Sequence, residues 1–232
     1  LRGDTVLEKT PEQIAEVVLA AEKGGIIKDV LLTTGTPPES PDMGGERLIS
    51  IIEKIRESSN IPIAVQIEPP VEEEIIRDIA RAGANAIGIH IESADESIRE
   101  EMCPGKFQYG SLDLYRRSWQ NALDHFGRGN VSTFILHGLG ENLEQTINLV
   151  SELAEVGVIP VVAPVRPAKG SQLADFTPTY VGQLETSLSF YKEIGRILYR
   201  WGLNPKETIG GCHRCGGCTP IQEAYDWAES IA

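Results

Sequence analysis

The chain has 232 residues, 41% of them hydrophobic, enough to bury a sizeable core and within the usual size of a one-domain α/β barrel. Its formal net charge of −13 excludes a nucleic-acid partner and an anionic membrane surface, because both need clustered lysine and arginine. No apolar run reaches the roughly 18 to 20 residues of a membrane span, and no basic-then-apolar leader is present, so the expected setting is the cytoplasm.

Leu1-Arg2-Gly3-Asp4 is neither an initiator methionine nor a leader, and it runs straight into a helix start at Thr10-Pro11-Glu12. An upstream segment is therefore expected to have been removed or left out. Thr10 as cap, Pro11 in the first turn and Gln13 three residues after the cap form a strong start signal. Amphipathic spacing predicts helices over Pro11–Lys23, Gly45–Ser58, Val71–Ala82, Leu112–Phe126, Leu143–Val156 and Thr179–Trp201. Between them, short apolar runs predict strands at Asp29–Thr33, Pro62–Ile67, Ala86–Ile91, Val131–His137 and Ile159–Val165. These runs are apolar nearly throughout, as strands covered on both faces should be.

A helix comes first, so the strand that should precede it is absent. The expected fold is α/β: a partial (β/α)6 TIM-like barrel lacking its first strand, over residues 1–202. Residues 203–232 form a cysteine-rich tail, since the β/α rhythm breaks after Gly202.

In a β/α barrel, chemistry sits at the carboxy-terminal ends of the strands. Thr33-Thr34-Gly35-Thr36 ends the first predicted strand and offers hydroxyls and backbone groups suited to an amino or carboxylate group; the alternative is an ordinary capped turn. Gln66 and Glu68 end the second. His90 and Glu92 end the third, two residues apart, where Glu92 suits a ribose diol or serves merely as a helix cap. Gly138-Leu139-Gly140-Glu141 ends the fourth: its glycines let backbone approach a flat ring, and Glu141 opens the next helix. Arg166, with Lys169 and Gly170, ends the fifth, and Gln66, Glu68 and Arg166 are expected among the cofactor-binding residues. Cys103 lies in a predicted loop, as a half-buried thiol or a further metal ligand, and Lys106 beside it is either solvated or turned to an anionic substrate.

Three of the four cysteines, Cys212, Cys215 and Cys218, fall within seven residues. CxxCxxC with glycines at 210, 211, 216 and 217 lets backbone wrap a cubane, so these three are candidate ligands of a [4Fe–4S] cluster. A zinc site is the alternative; His213 adjoins Cys212 and reaches the same tetrahedron with difficulty, and a disulfide is disfavoured in this setting.

The order of these strand ends resembles the radical S-adenosylmethionine (SAM) superfamily, in particular its biotin-synthase-like branch. The resemblance rests on TTGT at 33–36, Glu92 two strands later, GLGE at 138–141, and Pro164 to Asp175 resembling the KGTPLAD region of biotin synthase. It implies that Thr34, Gly35 and Thr36 hold the SAM amino group, Glu92 with His90 the ribose, and Gly138, Gly140 and Glu141 the adenine. Arg117, or Arg116 if the register slips by one, would pair with the SAM carboxylate. The family's CxxxCxxC is not in the sequence, so a second [4Fe–4S] cluster is expected from a missing amino-terminal region.

The resemblance also implies a 5′-deoxyadenosyl radical. With an auxiliary cluster at the tail it suggests sulfur insertion, as in lipoyl and biotin synthases. A radical SAM family associated with nitrilase gene clusters shares the same pattern. Expected partners are a small-molecule or lipoyl-domain-type substrate, a partner radical SAM subunit, and an electron donor such as ferredoxin or flavodoxin. Other radical chemistry with the tail cluster relaying electrons, and a non-catalytic barrel subunit with a zinc-stabilised tail, remain open alternatives.

Overall fold

Thr10 opens the first helix through the predicted reciprocal cap: its hydroxyl accepts the Gln13 N–H at 3.3 Å, and Gln13 Oε1 accepts the Thr10 N–H at 2.9 Å. The computed structural model describes residues 9–35 and 40–232. In order, these form α1 (Pro11–Lys23), β1 (Val30–Thr33), α2 (Gly45–Arg56), β2 (Ile63–Gln66), α3 (Glu74–Ala82) and β3 (Ala86–Gly88). There follow α4 (Glu96–Met102), α5 (Pro104–Tyr109), α6 (Leu112–Phe126), β4 (Val131–His137), α7 (Leu143–Val156) and β5 (Val158–Pro164). The chain ends with α8 (Leu184–Arg200), a 3-10 turn at Pro205–Glu207, α9 (Gly211–Cys215) and α10 (Ile221–Ser230).

The five strands pair in parallel in the order β1-β2-β3-β4-β5, as expected of a partial barrel. Among the described residues the sheet does not close on itself, and β1 and β5 are its edges. Register divides its faces. Leu32, Val65, Ile87 and Val131 are successive partners, all buried in the core shared with the helices. Thr33, Gln66, Gly88 and Ser132 are successive partners on the opposite, inner face. There Thr33 is exposed and Gln66 half-buried, so the inner face is an open trough.

Several expected boundaries shift, each for a local reason. The last long helix starts at Leu184 instead of Thr179 because the preceding residues are used to cover β4 and β5. Thr179 donates its N–H to Gly138 O at 2.9 Å, and Tyr180 its hydroxyl to Val165 O at 2.6 Å. The loop expected around Cys103 is helical instead. Asp95 caps α4 by accepting the Ser97 and Ile98 N–H groups, and Pro104 starts α5 at the position where a missing N–H costs nothing. Met102-Cys103-Pro104-Gly105 is thus a joint between two short helices.

The tail is also helical, and it crosses the trough. Gly210 lies so close to β2 that a Cβ there would sit 2.7 Å from Ala64 Cβ. Ile209, Gly211 and His213 share a cavity of about 10 Å3 with Gln66, Gly88 and Ser132, room for a single water. At the far side, Thr219 donates its hydroxyl to Val162 O on β5. α10 then packs along α8, where a Cβ on Gly195 would lie 2.1 Å from Ala224 O. Gly195→Val should therefore push the two helices apart and cost about 1–3 kcal/mol. Chemical denaturation measures the loss, and a variant of unchanged stability would show that the tail is not held by this approach.

Candidate functional site

β3 ends earlier than its apolar run suggests, and the reason shapes the site. After Gly88 the imidazole of His90 replaces a backbone acceptor: its Nδ1 takes the Phe134 N–H at 3.1 Å. The Ile91 N–H turns to Thr133 Oγ1 at 3.1 Å, and pairing resumes at Glu92, bridged to Ile135. Glu92 N–H reaches Phe134 O at 3.0 Å while its carbonyl accepts from Leu136 at 2.7 Å. To make both bonds Glu92 adopts φ 69°, a left-handed conformation costing about 1–3 kcal/mol at a non-glycine residue. Such strain persists only where surrounding structure imposes it.

Held this way, Glu92 meets Lys106 from α5. Lys106 Nζ lies 2.5 Å from Glu92 Oε1, 3.2 Å from Glu68 Oε1 and 3.2 Å from His90 O. Tyr115 on α6 adds a bond to Glu68 Oε2 at 3.4 Å. The Lys106, Glu92 and Glu68 side chains are 22%, 17% and 9% exposed, so the cluster is half-sunk at the carboxyl ends of β2 and β3. Burial pushes the Glu92 carboxyl up, against the pull of Lys106. Burial alone would lower Lys106, but Glu92 and Glu68 hold its ammonium above the usual lysine value. Burial, and then Glu92, push the Cys103 thiol up to about 11, which leaves it protonated at neutral pH.

His90 lies lower on the inner face, edge-on to Phe134 at 4.7 Å between ring centroids. Because Nδ1 accepts a backbone N–H, the proton sits on Nε2, which is covered and has no hydrogen-bond partner. Burial, then Lys106 and His213, bring its pKa down to about 3. The ring leans towards Gly88, where a Cβ would meet His90 Cε1 at 2.6 Å, and glycine is required there. His90 thus positions the strand and turns away from the Glu92 carboxylate it was expected to assist.

The remaining expected site residues fall into three groups. Gln66 and Glu68 join the trough with His90 and Glu92. Thr34 bonds its hydroxyl to Gly35 O at 2.9 Å beside the trough, while Thr36 lies outside the described residues. Glu141 is spent within its own turn: it accepts Gly138 N–H at 2.9 Å and Leu139 N–H at 2.8 Å, and lies 2.8 Å from His137 Nδ1. Burial would raise its carboxyl, but His137 and the Gly138 N–H hold it below the ordinary value. Gly138 is packed under Tyr180, whose ring a Cβ would approach to 2.4 Å, and Gly140 is exposed.

Two arginines stand away from their expected role. Arg117 is 61% exposed on α6, 3.6 Å from Glu73, on the helical side of the fold and not in the trough. Arg166 donates to Gly217 O at 3.3 Å and Cys218 O at 3.4 Å, and so fastens the cysteine segment to the end of β5. The cation at the site is Lys106, which the sequence left as either a solvated loop lysine or one turned to an anionic substrate; the six-residue helix α5 carries it to Glu68 and Glu92.

Among the described residues no three His, Cys, Asp or Glu side chains are arranged as a ready metal site. The tail nevertheless has the right donors. The Cys212 thiol is within hydrogen-bonding reach of Cys218, and burial, then Cys218 and Cys215, push it up to about 11. Gly216 turns the chain between Cys215 and Cys218 at φ 71°, and Cys215 and Cys218 are exposed. Three thiols around a left-handed glycine turn are the donor type that iron–sulfur clusters take.

The chain matches the profile of the Radical SAM superfamily over residues 2–153, a stretch that takes in α1 and runs into α7. No curated protein matches the chain. No helix among the described residues is long and apolar enough to cross a membrane.

Proposed function

From the premise that the chain belongs to the radical SAM superfamily, whose enzymes use a [4Fe–4S] cluster and SAM, we propose that the trough holds SAM with its amino-acid end at Lys106. The observation that carries this reading is the strained Glu92 fixed against Lys106 and Glu68 at adjoining strand ends. Lys106 offers an ammonium to the SAM carboxylate, and Glu92 an acceptor to the ribose hydroxyls. Thr34 and Gly35 supply polar groups for the SAM amino group. Glu141 and His137 keep the Gly138–Gly140 turn flat enough for an adenine to lie along it, without touching the ligand. When bound, cluster and SAM together supply a 5′-deoxyadenosyl radical that abstracts a substrate hydrogen.

Cys212, Cys215 and Cys218 would hold an auxiliary [4Fe–4S] cluster, kept beside β5 by Arg166. A cluster with three protein thiolates beside the trough suits sulfur donation to an unactivated carbon, the chemistry of lipoyl-type synthases. Protein prepared anaerobically, with and without Cys212→Ala, Cys215→Ala and Cys218→Ala combined, tests this. The triple variant should lose about four iron and four sulfide per chain, yet retain whatever SAM cleavage to 5′-deoxyadenosine the parent shows. Loss of that cleavage would mean the tail is not auxiliary. Labile sulfide that falls during turnover supports sulfur donation, whereas constant sulfide favours electron relay.

A further inference from the structure

His90 and His137 both sit where a strand runs out, but their two ring nitrogens are used in opposite senses. His137 shares the parity of Val131 and Ile135 on β4, which belong to the core, so its ring points to the helices and not into the trough. There it packs against Phe190 and Tyr191 of α8, 4.7 and 5.8 Å away between ring centroids. Its Nδ1 lies 2.8 Å from Glu141 Oε1, and its Nε2 3.4 Å from the hydroxyl of Ser187 near the start of α8. A carboxylate can only accept, so Nδ1 carries the proton of the neutral ring and Nε2 turns its lone pair to the Ser187 O–H. In His90 the basic nitrogen is tied to backbone and the other is covered; in His137 the basic nitrogen faces a hydroxyl.

Carboxylate, imidazole and hydroxyl in this order are the parts of a serine nucleophile: the first fixes the tautomer, the second takes the proton, the third attacks. A separation of 3.4 Å is at the loose end of hydrogen bonding, and such bonds tighten when a substrate binds. The hydroxyl is also within reach of a ligand. Ser187 is half-buried and, together with His137, lines an open cavity of about 260 Å3 beside the start of α8. Leu143 and Tyr180 give the cavity apolar surface, and neither Lys106, Glu92 nor Glu68 lines it. α8 begins without a side-chain cap, so N–H groups of its first turn, including that of cavity-lining Thr186, remain for an oxyanion. We propose that Ser187 is the nucleophile of a hydrolytic site for short-chain carboxylic esters, with His137 as general base and Glu141 as its positioning carboxylate. Ser187 Oγ bonds to the acyl carbon as its proton passes to His137 Nε2; the ester C–O bond breaks, and the departing alkoxide takes that proton. Water then repeats the sequence on the acyl-serine, and the acid and the alcohol leave with no oxidant or reductant involved. A cavity under the roughly 300 Å3 at which drug-sized sites begin restricts the acyl group to a few carbons.

The test uses the whole chain with two probes: p-nitrophenyl acetate, followed by release of nitrophenolate, and an alkyl fluorophosphonate, followed by mass spectrometry of the labelled peptide. The parent should hydrolyse the ester saturably and carry one phosphonyl adduct, on Ser187, formed with loss of fluoride. Ser187→Ala should lower turnover by at least about 100-fold and abolish the adduct. His137→Gln, which leaves the hydroxyl but removes the base, should slow both reactions to a similar degree. Ser187→Ala removes only a half-buried hydroxyl, so it carries the test if the His137 variant fails to fold. The proposal is overturned if the parent takes no label, if the label sits on another residue, or if Ser187→Ala hydrolyses the ester as the parent does. None of these readouts depends on iron or SAM turnover, so failure here leaves the SAM-site reading untouched.

Discussion

Lys106→Met is expected to destabilise the protein by on the order of 3 kcal/mol at neutral pH and to remove most of its SAM affinity. The substitution keeps the length of the side chain but takes the ammonium from between Glu68 and Glu92, 3.2 and 2.5 Å away. Breaking a half-buried pair leaves uncompensated charge, which costs more than the pair itself contributed. Two neighbouring carboxylates cannot both ionise cheaply, so in the variant one of them takes up a proton at a raised pKa. Its contribution to stability is then complete below the unfolded carboxylate pKa and is lost as pH rises through the folded value. The stability gap between parent and variant should therefore widen from about pH 5 to pH 8. Denaturant titration across that range checks it; a gap independent of pH would rule out this account of the cluster. Lys106→Arg should recover part of both losses.

His90 yields the second large effect, with the opposite sign. Its folded pKa is near 3, below the unfolded value of 6.5, and the geometry supplies an independent reason. Protonating Nδ1 would sacrifice the bond it accepts from Phe134 N–H. Between these two values the unfolded state binds more protons, so stability falls as pH drops below about 6.5. A loss of about 3 kcal/mol between pH 7 and pH 4 is expected from this group. His90→Asn keeps an acceptor for Phe134 N–H but does not titrate. Although it costs stability overall, the difference from the parent should shrink as the solution is acidified. Parallel pH curves for parent and variant would sink the prediction. Glu92 contributes with the opposite sign, but equally in both proteins, so it cancels in the comparison.

The α/β class was legible because hydrophobic periodicity is a local property. α1, α6, α7 and β4 have the bounds their spacing predicts, and the cap at Thr10 forms as its motif requires. The polar strand ends were legible too, since alternation and turn chemistry mark where each strand stops. Roles were less so. Glu141 and Arg166 carry the residue types expected of cofactor ligands, yet one is consumed by its own turn and the other by the tail. Nothing local distinguishes a carboxylate facing a cavity from one folded back on two backbone N–H groups and a histidine.

What the chain order could not settle was which side chains meet. Lys106 and Glu92 are 14 residues apart, and Glu68 lies on a different strand end. Their encounter depends on a proline-started turn of helix and on one left-handed glutamate, both too short to leave a periodic signal. The cysteine spacing at 212, 215 and 218 gave the expectation of metal chemistry in the tail, because ligand spacing is set by neighbouring residues alone. Its seat across the trough, from Ala64 on β2 to Val162 on β5, came from glycine contacts and a single threonine bond between segments more than fifty residues apart. Long-range packing decides such placements, since their energy belongs to surfaces that exist only once the sheet has formed.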